Sequence, residues 1–104
     1  MSATTEGFTG RIILVAELEA KPDKVSELEK VLLAIKASAD SDAEPGCLTY
    51  RVSKFGTKFV IFEEYENQAA VQLHMGADTF KALVNAIPDT AVGGPKLQYY
   101  EECK

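Results

Sequence analysis

His74 is the residue of this chain best suited to acid–base chemistry, because an imidazole titrates near neutral pH. It is the only histidine among 104 residues. It follows Leu73 and stands four residues after Ala70 and three after Val71, which places it beside the apolar face of a short predicted helix. Such a side chain acts either as a general acid or base, or as a half-buried structural histidine bound to a backbone group. The residues alone favour the structural role and leave the catalytic one open.

Glu63 and Tyr65 are a second candidate pair. They stand two positions apart on a predicted strand and so share one face with Phe59. A carboxylate on an otherwise apolar face is unusual, because burying an unpaired charge is costly. The alternative is that Glu63 lies at the end of the strand, where it is solvated or pairs with Arg51 or Arg11. The sequence supports these two interpretations of Glu63 about equally.

The other chemically active side chains form no recognised motif. Further phenols stand on predicted strands, where tyrosine is mostly a packing residue: Tyr50, Tyr99 and Tyr100. Cys47 and Cys103 lie far apart in the sequence and, with a single histidine, form no metal-ligand cluster, so we expect no metal site. We expect Cys47 to be a small buried thiol. The stretch 93–95 (GGP) precedes a strand and lacks the Lys and Ser or Thr of a phosphate-binding loop.

Hydrophobic spacing and turn signals predict the elements that must position these residues. The predicted order is strand 11–19, a helix opening at 21–23 and ending near 38–42, strand 47–54, strand 58–66, helix 68–75, a helix from 78 or 79 onward, and strand 96–102. One face of the first helix carries an apolar stripe of Val25, Leu28, Leu32, Ile35 and Ala39. The order β-α-β-β-α-β, with its second helical segment in two pieces, indicates an α+β, ferredoxin-like fold with an antiparallel sheet.

Local signals set the expected ends of the helices. Pro22 suits the first position of the first helix, and Asn67 suits the N-cap of the second. Asp78 or Thr79 is expected to cap the third helix, which should end before a loop that begins at Pro88.

The two middle strands are predicted to form a hairpin with Gly56 in its turn. On the first strand of this hairpin, alternation places Leu48, Tyr50 and Val52 on one face.

Two strands are apolar on both faces, which a half-buried sheet does not require. Ile12 and Leu14 point one way and Ile13 and Val15 the other, and Phe59–Phe62 repeats this pattern. The helices of this fold cover one face only. We therefore predict a homodimer that packs the open sheet faces together with two-fold symmetry, since a bare apolar sheet is an aggregation hazard.

Composition limits the remaining possibilities. The length of 104 residues allows one domain, and the apolar fraction of 46% is typical of a globular protein. We place this domain at 11–104 and expect a flexible polar tail at 1–10. The formal net charge of −5 argues against nucleic acid and against an anionic membrane as partner. The longest apolar runs, Ile12–Ala16 and Phe59–Phe62, are far shorter than the roughly 20 residues of a membrane span, and no signal peptide is evident. We therefore expect a cytoplasmic protein with reduced thiols.

Four motifs together resemble the antibiotic biosynthesis monooxygenase family over roughly residues 11–102. They are 44–50 (EPGCLTY), 62–67 (FEEYEN), the pair Ala70 and His74, and Phe80. The resemblance implies dimeric α+β barrels, in which two ferredoxin-like chains face each other sheet to sheet. It also implies a small-molecule cavity between the sheet and the helices of each chain.

The activity implied by the resemblance is cofactor-independent oxidation of a quinol or aromatic polyketide. The deprotonated aromatic substrate itself gives an electron to O₂, so that no flavin or metal is needed. By the same resemblance His74 is the base or the orienting donor, Tyr65 stands where many members carry Trp, and Glu63 matches the acidic residue two positions earlier. The substrate-binding residues expected on this basis are Tyr50, Phe59, Ile61, Met75 and Phe80.

The chain departs from the family pattern in two ways. It contains no Trp, and Thr79 stands where many members carry a second histidine. Of the residues that the heme-degrading branch uses, only the histidine is present, so we do not expect heme. The alternatives are a non-oxidative isomerase or cyclase of the same fold, and a non-catalytic small-molecule-binding or stress protein.

Overall fold

Seven helices and strands make up the fold, which a computed structural model describes over residues 4–103. In chain order they are β1 (Ile12–Glu19), α1 (Val25–Ala39), β2 (Cys47–Phe55), β3 (Lys58–Tyr65), α2 (Gln68–Met75), α3 (Asp78–Thr90) and β4 (Lys96–Glu101). The predicted α+β order, with the second helical segment divided in two, is confirmed. Within residues 4–103, no helix has the length and apolar character needed to cross a membrane.

The four strands form one antiparallel sheet in the order β2-β3-β1-β4. In its register Glu63 of β3 lies opposite both Leu14 of β1 and Tyr50 of β2, and Leu14 in turn lies opposite Tyr99 of β4. These four residues form one row on the face that the helices cover, and each is buried. The alternative that Glu63 is solvated at the end of its strand is therefore wrong.

A β-bulge interrupts β2 between Cys47 and Thr49. The extra residue is Leu48, which is 42% exposed, whereas Tyr50 is 4% exposed. The prediction that Leu48 shares a face with Tyr50 and Val52 is wrong, because a bulge shifts the two-residue alternation by one position.

Helix α1 covers the sheet through the predicted stripe. Leu28, Leu32, Ile35 and Ala39 are buried in a core cluster with strand residues such as Ile61. The helix begins at Val25, later than expected, since Pro22 lies in a turn that the hydrogen bond from Lys24 N to Lys21 O (2.9 Å) closes. Proline suits the second position of such a turn because its φ is already fixed there.

The N-termini of the two later helices differ. The Asn67 side chain accepts a hydrogen bond from Ala70 N at 3.0 Å, so the predicted cap of α2 is confirmed. Helix α3 begins after Ala77 with no side-chain cap, so neither Asp78 nor Thr79 has the capping role expected of it. Both residues lie inside the helix, where their backbone is already helical.

Pro88 lies inside the last turn of α3, which continues to Thr90, so the predicted helix end was too early. A proline this close to the C-terminus removes one backbone bond without breaking the turn that follows. Ala91 N still donates to Ile87 O at 2.9 Å, and the Pro88 carbonyl accepts from Lys21 Nζ at 3.1 Å.

The opposite face of the sheet, formed around Ile13, Val15, Val60 and Phe62, is called the open face below. Both core clusters take their strand residues from the helix-covered face and contain none of these four. Val60 is 43% exposed. Within residues 4–103, apolar side chains therefore face outward from both central strands of the sheet.

The segment before β1 is attached to the domain at its end. Thr9 N and Gly10 N donate to Glu101 Oε2 at 2.6 and 2.8 Å, and Gln68 Nε2 donates to the Phe8 carbonyl at 2.7 Å. Residues 8–10 of the predicted tail are thus held by these contacts, and residues 1–3 lie outside the described part of the chain.

Candidate active site

A small cavity of about 70 Å³ lies between the covered face of the sheet and the helices. Its walls are apolar except at one end, where Tyr50, Glu63 and His74 lie. Among the described residues, 4–103, no Lys or Arg lines it. Among its lining residues, Val84 and Pro95 are exposed. The volume is enough for a few water molecules, so an aromatic ring enters only if lining side chains move.

His74 is fixed at the polar end of the cavity by a carboxylate from another segment. The side chain is 2% exposed, and its Nδ1 lies 2.6 Å from Glu44 Oε1. The other oxygen of Glu44 accepts a hydrogen bond from Ser38 Oγ at 2.5 Å. Glu44 is itself 3% exposed, so α1, the turn before β2, and α2 each contribute one member of a buried chain of hydrogen bonds.

Glu63 lies on the other side of the imidazole. Its Oε1 is 3.7 Å from His74 Nε2 and accepts a hydrogen bond from the Tyr65 hydroxyl. The pKa of Glu63 is raised from 4.5 to about 8, chiefly by burial and also by the negative charge of Glu44, while the Tyr65 hydrogen bond opposes the rise. At neutral pH Glu63 is therefore a neutral carboxylic acid.

Aromatic rings enclose the imidazole. The ring centroids of Tyr50 and Tyr65 each lie 5.4 Å from that of His74, and the Phe80 centroid lies 5.7 Å away. Burial, reinforced by Glu63, raises the pKa of both tyrosines far above the usual range for a phenol. Both hydroxyls stay protonated, so they act as hydrogen-bond donors and not as bases.

The turn that carries Glu44 is packed directly against the helix that carries His74. A Cβ at Gly46 would lie 2.5 Å from the Ala70 Cβ, which is too close for any side chain. Glu66 N donates to the Gly46 carbonyl at 2.9 Å and ties the turn to the end of β3. Glycine at this position therefore sets the distance between Glu44 and His74.

Most of the predicted site residues come together. Tyr50, Ile61, Glu63, His74, Met75 and Phe80 all line the cavity. Tyr65 lies behind Glu63 and is fully buried. Phe59 lies in the core cluster below α1 and is not among the lining residues.

Glu44 and Ser38 were not predicted as site residues. Glu44 stood out only as part of a turn and of the resemblance motif, and Ser38 only as a residue near the end of a helix. A glutamate next to Pro-Gly is normally solvated, and no spacing rule connects residue 44 with residue 74.

Neither the cysteines nor the other potential metal-ligating side chains of residues 4–103 form a further site. Burial raises the pKa of the Cys47 thiol to about 11, so it stays protonated and weakly nucleophilic at neutral pH. Over residues 4–103, no group of three or more His, Cys, Asp or Glu side chains has an arrangement that could hold a metal ion.

Comparisons with known proteins agree on one family. The profile of antibiotic biosynthesis monooxygenases matches residues 11–86. A solved structure from Caulobacter crescentus CB15, provisionally assigned to the same enzymes, is 34% identical over 93% of each chain with a TM-score of 0.85. A second, from Deinococcus radiodurans with the same provisional assignment, is 26% identical over 89% of this chain and 93% of the other, with a TM-score of 0.77. An uncharacterised protein of Synechocystis is 26% identical over 97% of this chain and 69% of its own length.

Proposed function

Because the chain belongs to the antibiotic biosynthesis monooxygenase family, we propose that it is a cofactor-independent monooxygenase that oxidises a small phenol or quinol with O₂. The observation that carries the proposal is the placement of the only histidine at the polar end of an apolar cavity. His74 and Tyr50 both line the cavity with their rings 5.4 Å apart, so the hydroxyl of a bound phenol would be received between them.

The proposed reaction begins with proton transfer from the substrate hydroxyl to His74 Nε2. The phenolate then gives electrons to O₂ in the same apolar space, and a ring carbon that bears hydrogen, ortho or para to that hydroxyl, forms the new C–O bond. Loss of water completes the balance: one phenol and one O₂ give one quinone and one water, and one hydroquinone and one O₂ give one hydroxyquinone and one water. The substrate is the reductant, and the protein contributes the base, the orientation and the exclusion of water.

The lining of the cavity supports an uncharged substrate. Since no Lys or Arg lines it, nothing there would compensate the charge of a phosphate or carboxylate group. This favours the oxidation of a neutral phenol over isomerisation of a phosphorylated compound. Phe80 and Met75 would contact the ring of the substrate.

Glu63 and Tyr65 are assigned supporting roles. As a neutral acid, Glu63 places no negative charge beside the developing phenolate, and its hydrogen bond from Tyr65 fixes its orientation. An ionised carboxylate at this position would oppose deprotonation of the substrate by like-charge repulsion.

We also propose that two copies pack through the open face defined above. Ile13, Val15 and Phe62 are half-buried within one chain, and Val60 is exposed beside them, so that these four residues form an apolar patch on the two central strands, with Glu17 and Glu64 at its ends. A second copy with the same surface covers it under two-fold symmetry.

Oxygen uptake tests the proposed reaction. Purified protein is incubated with a panel of one-ring and two-ring hydroquinones while dissolved O₂ is followed, with autoxidation subtracted. We expect uptake by the wild type, a loss of about 10²- to 10⁴-fold in His74→Ala, and no change in Gln72→Ala, an exposed residue of the same helix.

The outcomes separate the alternatives. Uptake no faster than autoxidation across the panel would overturn the oxygenase. Turnover that continues without O₂ would indicate an isomerase or cyclase. A compound that raises the melting temperature and is recovered unchanged would indicate a binding protein.

A further inference from the structure

We propose that Glu44 is the positioning residue of this site, holding His74 in the tautomer whose proton is on Nδ1 and leaving Nε2 free to accept a proton. The inference rests on the proposed function for its catalytic meaning, because it assigns Nε2 as the base. The tautomer itself is a property of the resting protein and can be measured without substrate.

Both oxygens of the Glu44 carboxylate lie at hydrogen-bond distance from polar groups. It is 3% exposed, and each of its oxygens meets one polar group: Oε1 meets His74 Nδ1 at 2.6 Å and Oε2 meets Ser38 Oγ at 2.5 Å. A buried carboxylate requires donors at both oxygens. Ser38 supplies one such donor, and Nδ1–H is the group in place to supply the other.

The other ring nitrogen of His74, Nε2, lies on the side of the imidazole opposite Glu44. With its proton on Nδ1, a neutral imidazole has a lone pair on Nε2, and that nitrogen is on the side of Glu63, which lines the cavity, whereas Nδ1 is on the side of Glu44, which is not among the lining residues. Glu63, the nearest other carboxyl, is 3.7 Å from Nε2, beyond hydrogen-bond distance. Nε2 is therefore left for a substrate proton.

The turn that carries Glu44 is held in place by backbone hydrogen bonds. Glu44 N donates to Ser41 O at 3.2 Å, and Cys47 N donates to the Glu44 carbonyl at 3.1 Å, so its backbone is fixed on both sides. The close packing at Gly46 holds the same turn against α2. The carboxylate is preorganised, and its position does not depend on a bound ligand.

The experiment uses the single histidine. Selective ¹⁵N labelling of histidine gives signals from one imidazole, whose two nitrogen shifts report which of them carries the proton. We expect Nδ1–H in the wild type and in Glu44→Gln, whose amide oxygen can still accept. We expect a shift toward Nε2–H in Glu44→Leu, because Nδ1–H has then lost the acceptor that holds it. Asp42→Leu, at an exposed carboxylate of the same turn, should match the wild type.

Kinetics with an accepted quinol provide the second readout. We expect kcat of Glu44→Leu to fall about 10²- to 10⁴-fold with KM changed less than about threefold, and Glu44→Gln to recover a large part of kcat. A wild-type imidazole with its proton on Nε2, or an unchanged tautomer in Glu44→Leu, would overturn the inference. If Glu44→Leu does not fold, the tautomers of the wild type and Glu44→Gln decide it. Absence of O₂ uptake by the wild type would remove the proposed reaction but leave the tautomer result standing.

Discussion

The buried carboxyl of Glu63 should make the folded state less stable as the pH rises. Its pKa is raised to about 8 in the folded chain, chiefly by burial, against 4.5 for an exposed glutamate. Below pH 4.5 the carboxyl is protonated in both the folded and the unfolded chain, so it imposes no ionisation penalty. Between these two values the unfolded chain binds fewer protons than the folded one, and the free energy of unfolding therefore falls.

Glu63→Gln removes this titration while keeping the size of the side chain and an oxygen that accepts from Tyr65. The difference between 4.5 and 8 corresponds to at most about 5 kcal/mol, because one pKa unit is worth about 1.4 kcal/mol. A domain of this size has a total stability of about 5–15 kcal/mol. We therefore expect the wild type to lose stability relative to Glu63→Gln by a large fraction of this amount between pH 4.5 and pH 8.

Urea denaturation at pH 4.5, 6, 7 and 8, at one protein concentration, measures the effect. The difference in unfolding free energy between the wild type and Glu63→Gln should change by close to 1.4 kcal/mol per pH unit in the middle of this range. Glu102→Gln, at an exposed carboxylate just past β4, serves as the matched control and should show no such change. Parallel curves for the wild type and Glu63→Gln would refute the reasoning, since they would mean that Glu63 ionises alike in both states.

Three further changes test the packing that supports the site. Gly46→Ala should cost about 1–3 kcal/mol by thermal denaturation, because its Cβ would lie 2.5 Å from the Ala70 Cβ, whereas Gly94→Ala, with nothing within 4 Å, should be neutral or slightly stabilising. An unchanged melting temperature in Gly46→Ala would contradict the close packing. Asn67→Ala should cost about 0.5–2 kcal/mol through loss of the α2 cap, and a cost equal to that of an exposed mid-helix alanine substitution would speak against it. If the wild type is the proposed dimer by light scattering, Phe62→Asp on the open face should be a monomer; a dimer that survives this charge would exclude the open face as the interface.

The sequence was sufficient for the fold because its elements follow local rules. The stripe on α1, the two apolar central strands and the cap at Asn67 are each specified within a few residues. The errors occur where the structure departs from the simple form of these local rules. The bulge at Leu48 cannot be read from alternation alone, and Pro88 is tolerated only because it falls in the last turn of its helix.

The site was predictable only in part for the same reason. His74 and Glu63 could be named because their types are unusual on apolar faces. Glu44 could not be named, because its burial depends on α1 and α2 closing over a turn 30 residues away from His74. Its polar neighbours in the sequence, Asp42 among them, are exposed and give no sign that it differs from them.

The two carboxyls on either side of His74, Glu44 and Glu63, differ in their hydrogen bonds and in their surroundings, so the two sides of the imidazole are not equivalent. Glu44 lies at hydrogen-bond distance from two polar groups, His74 Nδ1 and Ser38 Oγ, whereas burial keeps Glu63 neutral up to about pH 8. The side of the imidazole toward Glu63 is therefore uncharged at neutral pH. In the proposed reaction a neutral phenol would approach Nε2 without repulsion from Glu63, and Glu44 would keep its hydrogen bond to Nδ1–H as the imidazole gains a proton. An ionised carboxylate in place of Glu63 would hold the imidazole equally well but would oppose formation of the proposed phenolate by like-charge repulsion.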